Sequence, residues 1–169
     1  MCIRDRSLSK ELIKAVCSSD ELSQKRVLNI VDLKNRINSI MTFIEKDNFI
    51  EIQKVITRVS KLANNSNLSR AVLSTKEYVN IKLFEKDCEL KVFEFIRELE
   101  KLFSEGYCNY LELLNLFEIN VNTIEALFDN EKGVLIMSED LKIRNNRLNL
   151  LSLIRNYSLK IADFTLLNS

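Results

Sequence analysis

The chain has 169 residues, with 25 Lys and Arg against 24 Asp and Glu and a net charge of +1, so it is neither a wholesale polybasic nor an acidic protein. A hydrophobic share of 46% with 29% charged residues suits a single globular domain rather than a disordered chain, and no uncharged apolar run approaches the roughly 18 residues of a membrane helix. There is no His, Trp or Pro, and Gly occurs only at Gly106 and Gly133, which removes His-based acid–base catalysis and metal ligation and leaves nothing to build a glycine-rich phosphate loop.

The opening Met1-Cys2-Ile3-Arg4-Asp5-Arg6 lacks the apolar region of a secretory signal and starts a helix poorly. It reads as the translation of a sequencing-library adaptor, so residues 1–6 are expected to be an artefact ahead of a fragment whose reading frame begins upstream. Residues 7–48 are expected to be helices leading into the domain, and residues 49–169 the helical domain itself.

Apolar residues recurring at i, i+3 and i+4 predict an all-α bundle of about six to seven helices. A short helix over 9–17 carries Leu12, Ile13 and Val16 on one face. Asp20 is placed to cap the next segment. A helix over 32–46 follows through Leu33, Ile37, Ile40, Met41 and Ile44. Asp47-Asn48 breaks it and caps a helix over 49–63 built on Ile52, Val55, Ile56, Val59 and Leu62. Residues 64–75, rich in Asn and Ser, read as a loop. Residues 87–104 return to helix, ended by Gly106 in a left-handed C-cap. A short helix over 111–117 and another capped by Asn120 come next. The run 134–137 is the one strand-like stretch, and Ser138-Glu139-Asp140 opens the last and longest helix, running to about residue 162.

Nothing here makes an active site. The four cysteines lack CxxC spacing and read as reduced, buried small hydrophobes of a cytosolic protein, and no metal site is expected. The charge, however, is segregated. The 24 residues 53–76 contain no acid but five bases, whereas residues 85–105 hold seven acids and four bases. Lys54, Arg58 and Lys61 fall at i, i+4 and i+7, a stripe along one side of their helix. It leads into Asn64, Asn65, Ser66 and Asn67, with Arg70 beyond. A cationic row ending in an amide-rich bend suits looped RNA, the cations neutralising phosphates and the amides reaching base edges. The same row also fits an ordinary solvated helix face. Arg144, Arg147 and Arg155 share an arc of roughly 80° on the last helix and form an auxiliary patch able to fork to phosphate, or alternatively a set of Arg paired with acids of neighbouring helices. Tyr107, Tyr110 and Tyr157 are further candidates for stacking, and most of the Phe are expected in the core.

From Phe103 onward the order of segments becomes specific: Phe103-Ser104-Glu105-Gly106-Tyr107, then Phe128-Asp129-Asn130, Val134-Leu135-Ile136-Met137, Leu141-Lys142-Ile143-Arg144-Asn145-Asn146-Arg147-Leu148, and the closing Ile161-Ala162-Asp163-Phe164-Thr165-Leu166-Leu167. With Arg58-Val59-Ser60-Lys61-Leu62-Ala63-Asn64 upstream, this resembles the C-terminal end of the bacterial glycyl-tRNA synthetase beta subunit. The resemblance is strong from about Gln53 and faint over residues 7–48. It implies an anticodon-binding domain of the arginyl/glycyl-tRNA synthetase type that grips the anticodon stem-loop of tRNA(Gly) in the cytoplasm. It further implies a separate alpha subunit, in an alpha2beta2 complex, that uses ATP and Mg to attach glycine. On this reading the chain has no catalytic residue or cofactor of its own, and its RNA contacts are Lys54, Arg58, Lys61, Asn64, Asn65, Asn67, Arg70, Arg144 and Arg147. The equivalent domain of arginyl-tRNA synthetase and a helical module that docks on protein are the competing readings.

Overall fold

The structure is a computed structural model that describes residues 3–22, 29–104 and 109–167, with backbone alone for 3–9 and 20–22. Among the described residues it is all-helical: α1 (Ile3–Leu22), α2 (Ile30–Ile44), α3 (Phe49–Ala63), α4 (Asp87–Ser104), α5 (Tyr110–Ile119), α6 (Val121–Glu125) and α7 (Leu141–Ser158), with 3-10 turns at Ile81–Leu83, Ala126–Phe128 and Phe164–Leu166. No described helix is long and apolar enough to cross a membrane.

Side-chain caps set several of the starts by accepting the N–H groups a first turn leaves free. Asn29 accepts from Asp32 at 3.1 Å, Asn109 from Leu111 at 3.0 Å, and Asp140 from Lys142 and Ile143 at 2.8 and 3.2 Å. In α4 the third residue, Glu89, reaches back to the N–H groups of Glu85 and Lys86 at 2.7 and 3.0 Å, the returning half of a capping box.

Several boundaries differ from the sequence reading. Backbone helix already covers Ile3 and runs on through Asp20 to Leu22, so Asp20 lies inside α1 rather than capping its successor, and α1, not the last helix, is the longest. Asn48 and Asn120 precede α3 and α6 without a side-chain capping bond. Asn48 instead donates to Glu118 Oε1 at 3.0 Å. The run 134–137 forms no strand: Ile136 turns inward while Leu135 stays 69% exposed. Gly106, Tyr107, Cys2 and Cys108 lie outside the described residues. Cys88 is buried and Cys17 half-buried, both as free thiols, and burial foremost pushes the Cys88 thiol up.

The core gathers Val55, Ile56 and Val59 of α3, Val92, Phe95, Ile96 and Leu99 of α4, Leu113, Leu114 and Phe117 of α5, and Leu148, Leu151 and Ile154 of α7. Phe95 meets Phe117 edge to face at 5.5 Å, and Phe103 meets Tyr157 at 5.2 Å, arrangements favoured by the ring quadrupoles. The most extensive helix pair is α3 with α7, with α2 on α5 and α1 on α2 beside it. A fully buried Arg36 fastens α1 to the far end of the chain: its Nη1 lies within hydrogen-bond reach of the carbonyls of Val16 and Ile161, both at 3.4 Å, and its Nε pairs with Asp32 at 3.1 Å. Gly133 closes the turn after the Ala126–Phe128 segment, where an added Cβ would sit 2.4 Å from the Asp129 carbonyl oxygen, too close for any side chain.

Helix α7 is unusual for an inner helix. From Asn146 to Ser158 all but Asn149 are buried, yet polar residues alternate with the leucines. Leu141, expected on its apolar side, is 62% exposed, because it precedes the part of the helix that enters the core.

Candidate nucleic-acid interface

The α3 stripe is where periodicity places it. With the apolar face turned onto α7, positions 54, 58 and 61 point outward, and Lys54, Arg58 and Lys61 are all exposed. Among the described residues none of the three is ion-paired to a carboxylate. Beside them runs a groove of about 400 Å³, lined by all three with Gln53, Thr57, Thr165 and Leu167. Its far wall is the closing segment of the chain. The Gln53 amide donates to the Leu167 carbonyl, and Asp163 holds that segment's shape by accepting from the Thr165 N–H at 3.0 Å and its Oγ1 at 2.6 Å.

Arg58 is the member of the stripe that rests on an aromatic ring. Its guanidinium lies over the Phe128 ring at 4.2 Å, a cation–π contact that holds the fork flat against a surface. On its other side is a second cleft of about 410 Å³ with Asn122, Glu125, Asp129 and Lys132. The backbone N–H groups of Lys132 and Glu131 hold the Asp129 carboxyl below its ordinary value. Glu125 and Asp129 therefore bound the cationic field on that side.

At the end of α3 the chain bends through exposed Asn64, Asn65 and Asn67. The Asn65 amide donates to the Leu62 carbonyl at 3.1 Å, so one of its two N–H donors is spent on the bend itself. Half-buried Arg70 approaches Asn64 Oδ1 at 3.5 Å.

What holds this bend comes from α7. Arg155 Nη1 donates to the Ala63 carbonyl at 3.0 Å and Nη2 to that of Leu68 at 3.3 Å. Asn156 Nδ2 donates to Ser69 and Val72 at 2.9 and 2.7 Å, and the Tyr157 hydroxyl to Leu73 at 2.7 Å. Earlier on the helix, Asn149 donates to the Tyr78 carbonyl at 2.7 Å. Asn146 exchanges bonds with the Asn80 backbone in both directions, at 2.7 and 3.1 Å. Sequence reasoning gave Arg155 to a phosphate-facing patch and Tyr157 to stacking, and assigned no role to Asn149 or Asn156. The one visible signal was the density of amides on a helix whose other residues are core leucines.

The auxiliary arginine patch is not assembled. Arg144 is half-buried, but Arg147 is 3% exposed and Arg155 4%. Arg147 Nε pairs with Glu89 at 2.8 Å, Nη2 with Glu85 at 2.6 Å, and Nη1 donates to the Leu135 carbonyl at 3.0 Å. Burial would lower its pKa, but the hydrogen bonds to Glu89 and Glu85 outweigh that and raise it. An enclosed guanidinium with its donors committed has nothing left for phosphate, so Arg147 leaves the set of RNA contacts. Arg155 is equally enclosed; burial first, then the nearby Arg70 charge, pulls it down to about 10. Tyr157 is 1% exposed, its hydroxyl pushed above the ordinary range by burial, and Tyr110 is committed to Asp32. Tyr157 is therefore no stacking platform, Tyr110 keeps a half-buried ring, and Tyr107 lies outside the described residues.

The chain is 28% identical over 164 residues to the glycine–tRNA ligase beta subunit of Gloeothece citriformis, covering 95% of this chain and 23% of that protein. It is 29% identical over 165 residues to that of Picosynechococcus sp., covering 95% and 23%, and 30% identical over 165 residues to that of Persephonella marina, covering 96% and 21%. The chain is a relative of the glycine–tRNA ligase beta subunit. No family model matches it. Matches over 95% of the chain necessarily take in much of residues 7–48, where the resemblance in sequence is faint. The chain spans about a quarter of the length of the curated relatives it matches.

Proposed function

We propose that this chain serves glycine–tRNA ligase as its grip on the anticodon stem-loop of tRNA(Gly), in the cytoplasm, beside an alpha subunit that carries out ATP- and Mg-dependent attachment of glycine. The observation that carries the reading is the exposed row Lys54, Arg58 and Lys61, none of them ion-paired to a carboxylate among the described residues, along a groove in a relative of a tRNA ligase subunit. Three cations on one helix side follow a phosphate backbone, and phosphate neutralisation supplies most of the affinity in such interfaces. Asn64, Asn67 and Arg70 extend the row at its end, with Asn65 contributing its remaining acceptor, and Arg144 stands apart on α7.

The test is binding of a tRNA(Gly) anticodon stem-loop across a salt series. Replacing Lys54, Arg58 and Lys61 together with Ala should weaken binding and flatten the slope of log affinity against log salt by up to about three units. An unchanged slope would overturn the reading in favour of a protein-docking module.

A further inference from the structure

A second groove, of about 670 Å³, runs between residues 77–83 and the first half of α7, and its lining does not include Arg144, Arg147 or Arg155. Its volume is that of a small-ligand cleft. Tyr78 lines it and keeps 39% of its surface open. Lys82, Lys142 and Asn145 line it too, and all three are exposed. Glu77 is the one acid among its lining residues.

The wall carrying Tyr78 is fixed. Asn149 holds the Tyr78 carbonyl and Asn146 clamps Asn80 from both sides. Glu77 has a φ of 73°, a left-handed conformation that side-chain-bearing residues adopt only where the surroundings enforce it. Asn149 also ties this groove to the amide-rich bend, because its Oδ1 accepts from Ser66 Oγ at 3.3 Å while its Nδ2 holds Tyr78. The groove therefore lies beside the bend that ends the α3 stripe.

We infer that the groove seats an unpaired nucleobase of the bound RNA, stacked on Tyr78, with Asn145 at its polar edge and Lys82 and Lys142 at the flanking phosphates. This rests on the proposed grip on an RNA hairpin. An open aromatic, a free amide with one donor and one acceptor side, and two lysines form the set that receives a splayed-out base. A fixed wall means that little ordering is left to be done on binding.

The full chain is titrated with the anticodon stem-loop carrying 2-aminopurine at each loop position in turn. One position should be quenched on binding. Tyr78→Phe should keep the quenching, and Tyr78→Ala should abolish it and weaken binding by about tenfold or more. On a hairpin made abasic at that position, wild type and Tyr78→Ala should bind equally. Asn145→Ala, at an exposed position, should lower the preference between bases there without moving the melting temperature. If the hairpin binds but no position is quenched, or Tyr78→Ala binds as wild type, the inference fails and the proposed function stands. If the hairpin does not bind wild type at all, both fall. Nucleoside monophosphates in place of the hairpin separate the sources of the base: millimolar nucleotide that perturbs Tyr78 as strongly as the hairpin would assign the groove to free nucleotide and overturn the inference.

Discussion

Arg147→Met should destabilise the fold while leaving RNA affinity untouched. The side chain is 3% exposed and its partner Glu89 is fully buried, with Nε to Oε1 at 2.8 Å. Methionine preserves much of the aliphatic stem, so the change isolates the guanidinium. Without it, Glu89 is a carboxylate in the core facing only the N–H groups of Glu85 and Lys86, and breaking a buried pair from one side costs about 3–5 kcal/mol. The bond to Glu85 adds little, since that carboxylate is 57% exposed and screened by water. Such a loss is a large part of the about 5–15 kcal/mol that stabilises a domain of this size. Adding Glu89→Gln removes the stranded charge but keeps an acceptor for the two N–H groups, so the double variant should recover about half of the loss. Urea unfolding followed by circular dichroism measures each corner of the cycle, and stem-loop binding is read at a temperature where every variant is folded. A loss below about 1 kcal/mol for Arg147→Met, accompanied by weaker binding, would return Arg147 to the RNA surface and refute the assignment.

Two further outcomes follow from the same contacts. Asn156→Ala strips the donor from the Ser69 and Val72 carbonyls and the acceptor from Arg155; it should destabilise by about 2–3 kcal/mol and make residues 64–75 the first site of proteolysis and the fastest to exchange, and a cleavage pattern identical to wild type would contradict the tether. Glu118 is held below its ordinary value of 4.5 chiefly by its hydrogen bond to Lys46, against the opposing effect of burial; because its folded pKa is the lower one, its contribution is complete above that value and fades as pH falls through the folded pKa. Glu118→Gln should therefore be less stable by at most about 1 kcal/mol at neutral pH, with the gap to wild type closing as pH falls below the ordinary carboxylate range, as read from melting temperatures across the series, and a gap that widens toward acid would reverse the sign.

The sequence was most legible where one face alone decides a residue's fate. Helices α3 and α4 have the bounds that their apolar spacing predicts, and Lys54, Arg58 and Lys61 are exposed because the positions beside them carry Ile52, Val55, Ile56 and Val59 into the core. Helix α7 was misread for the complementary reason. Arg144, Arg147 and Arg155 share an arc whether that arc meets solvent or protein, and the acids that enclose Arg147 lie 58 and 62 residues away, beyond any local pattern. The helix stops short of its expected end near residue 162 for a related cause: after Ser158 the chain tightens into a turn, with Ile161 N–H donating to the Ser158 carbonyl at 3.0 Å, and Asp163 N–H leaves for the Ala15 carbonyl of α1 at 2.9 Å. Arg36 gave no sign of its role, since its contacts span 20 and 125 residues.

The polar content of α7 and the irregularity of residues 64–86 explain each other. An α-helix closes its own carbonyls, whereas a 23-residue segment containing only one 3-10 turn leaves carbonyls facing the core that must be met from elsewhere. Asn146, Asn149, Arg155, Asn156 and Tyr157 meet those of Asn80, Tyr78, Leu68, Ser69, Val72 and Leu73, and Arg155 also takes the carbonyl of Ala63 at the end of α3. A wholly apolar α7 would pack as well against α3 but would strand these groups, and the segment would have to move out into water. The helix thus fixes in one register both the bend that ends the cationic row and the wall that carries Tyr78, so that a ligand spanning the two meets a surface already formed.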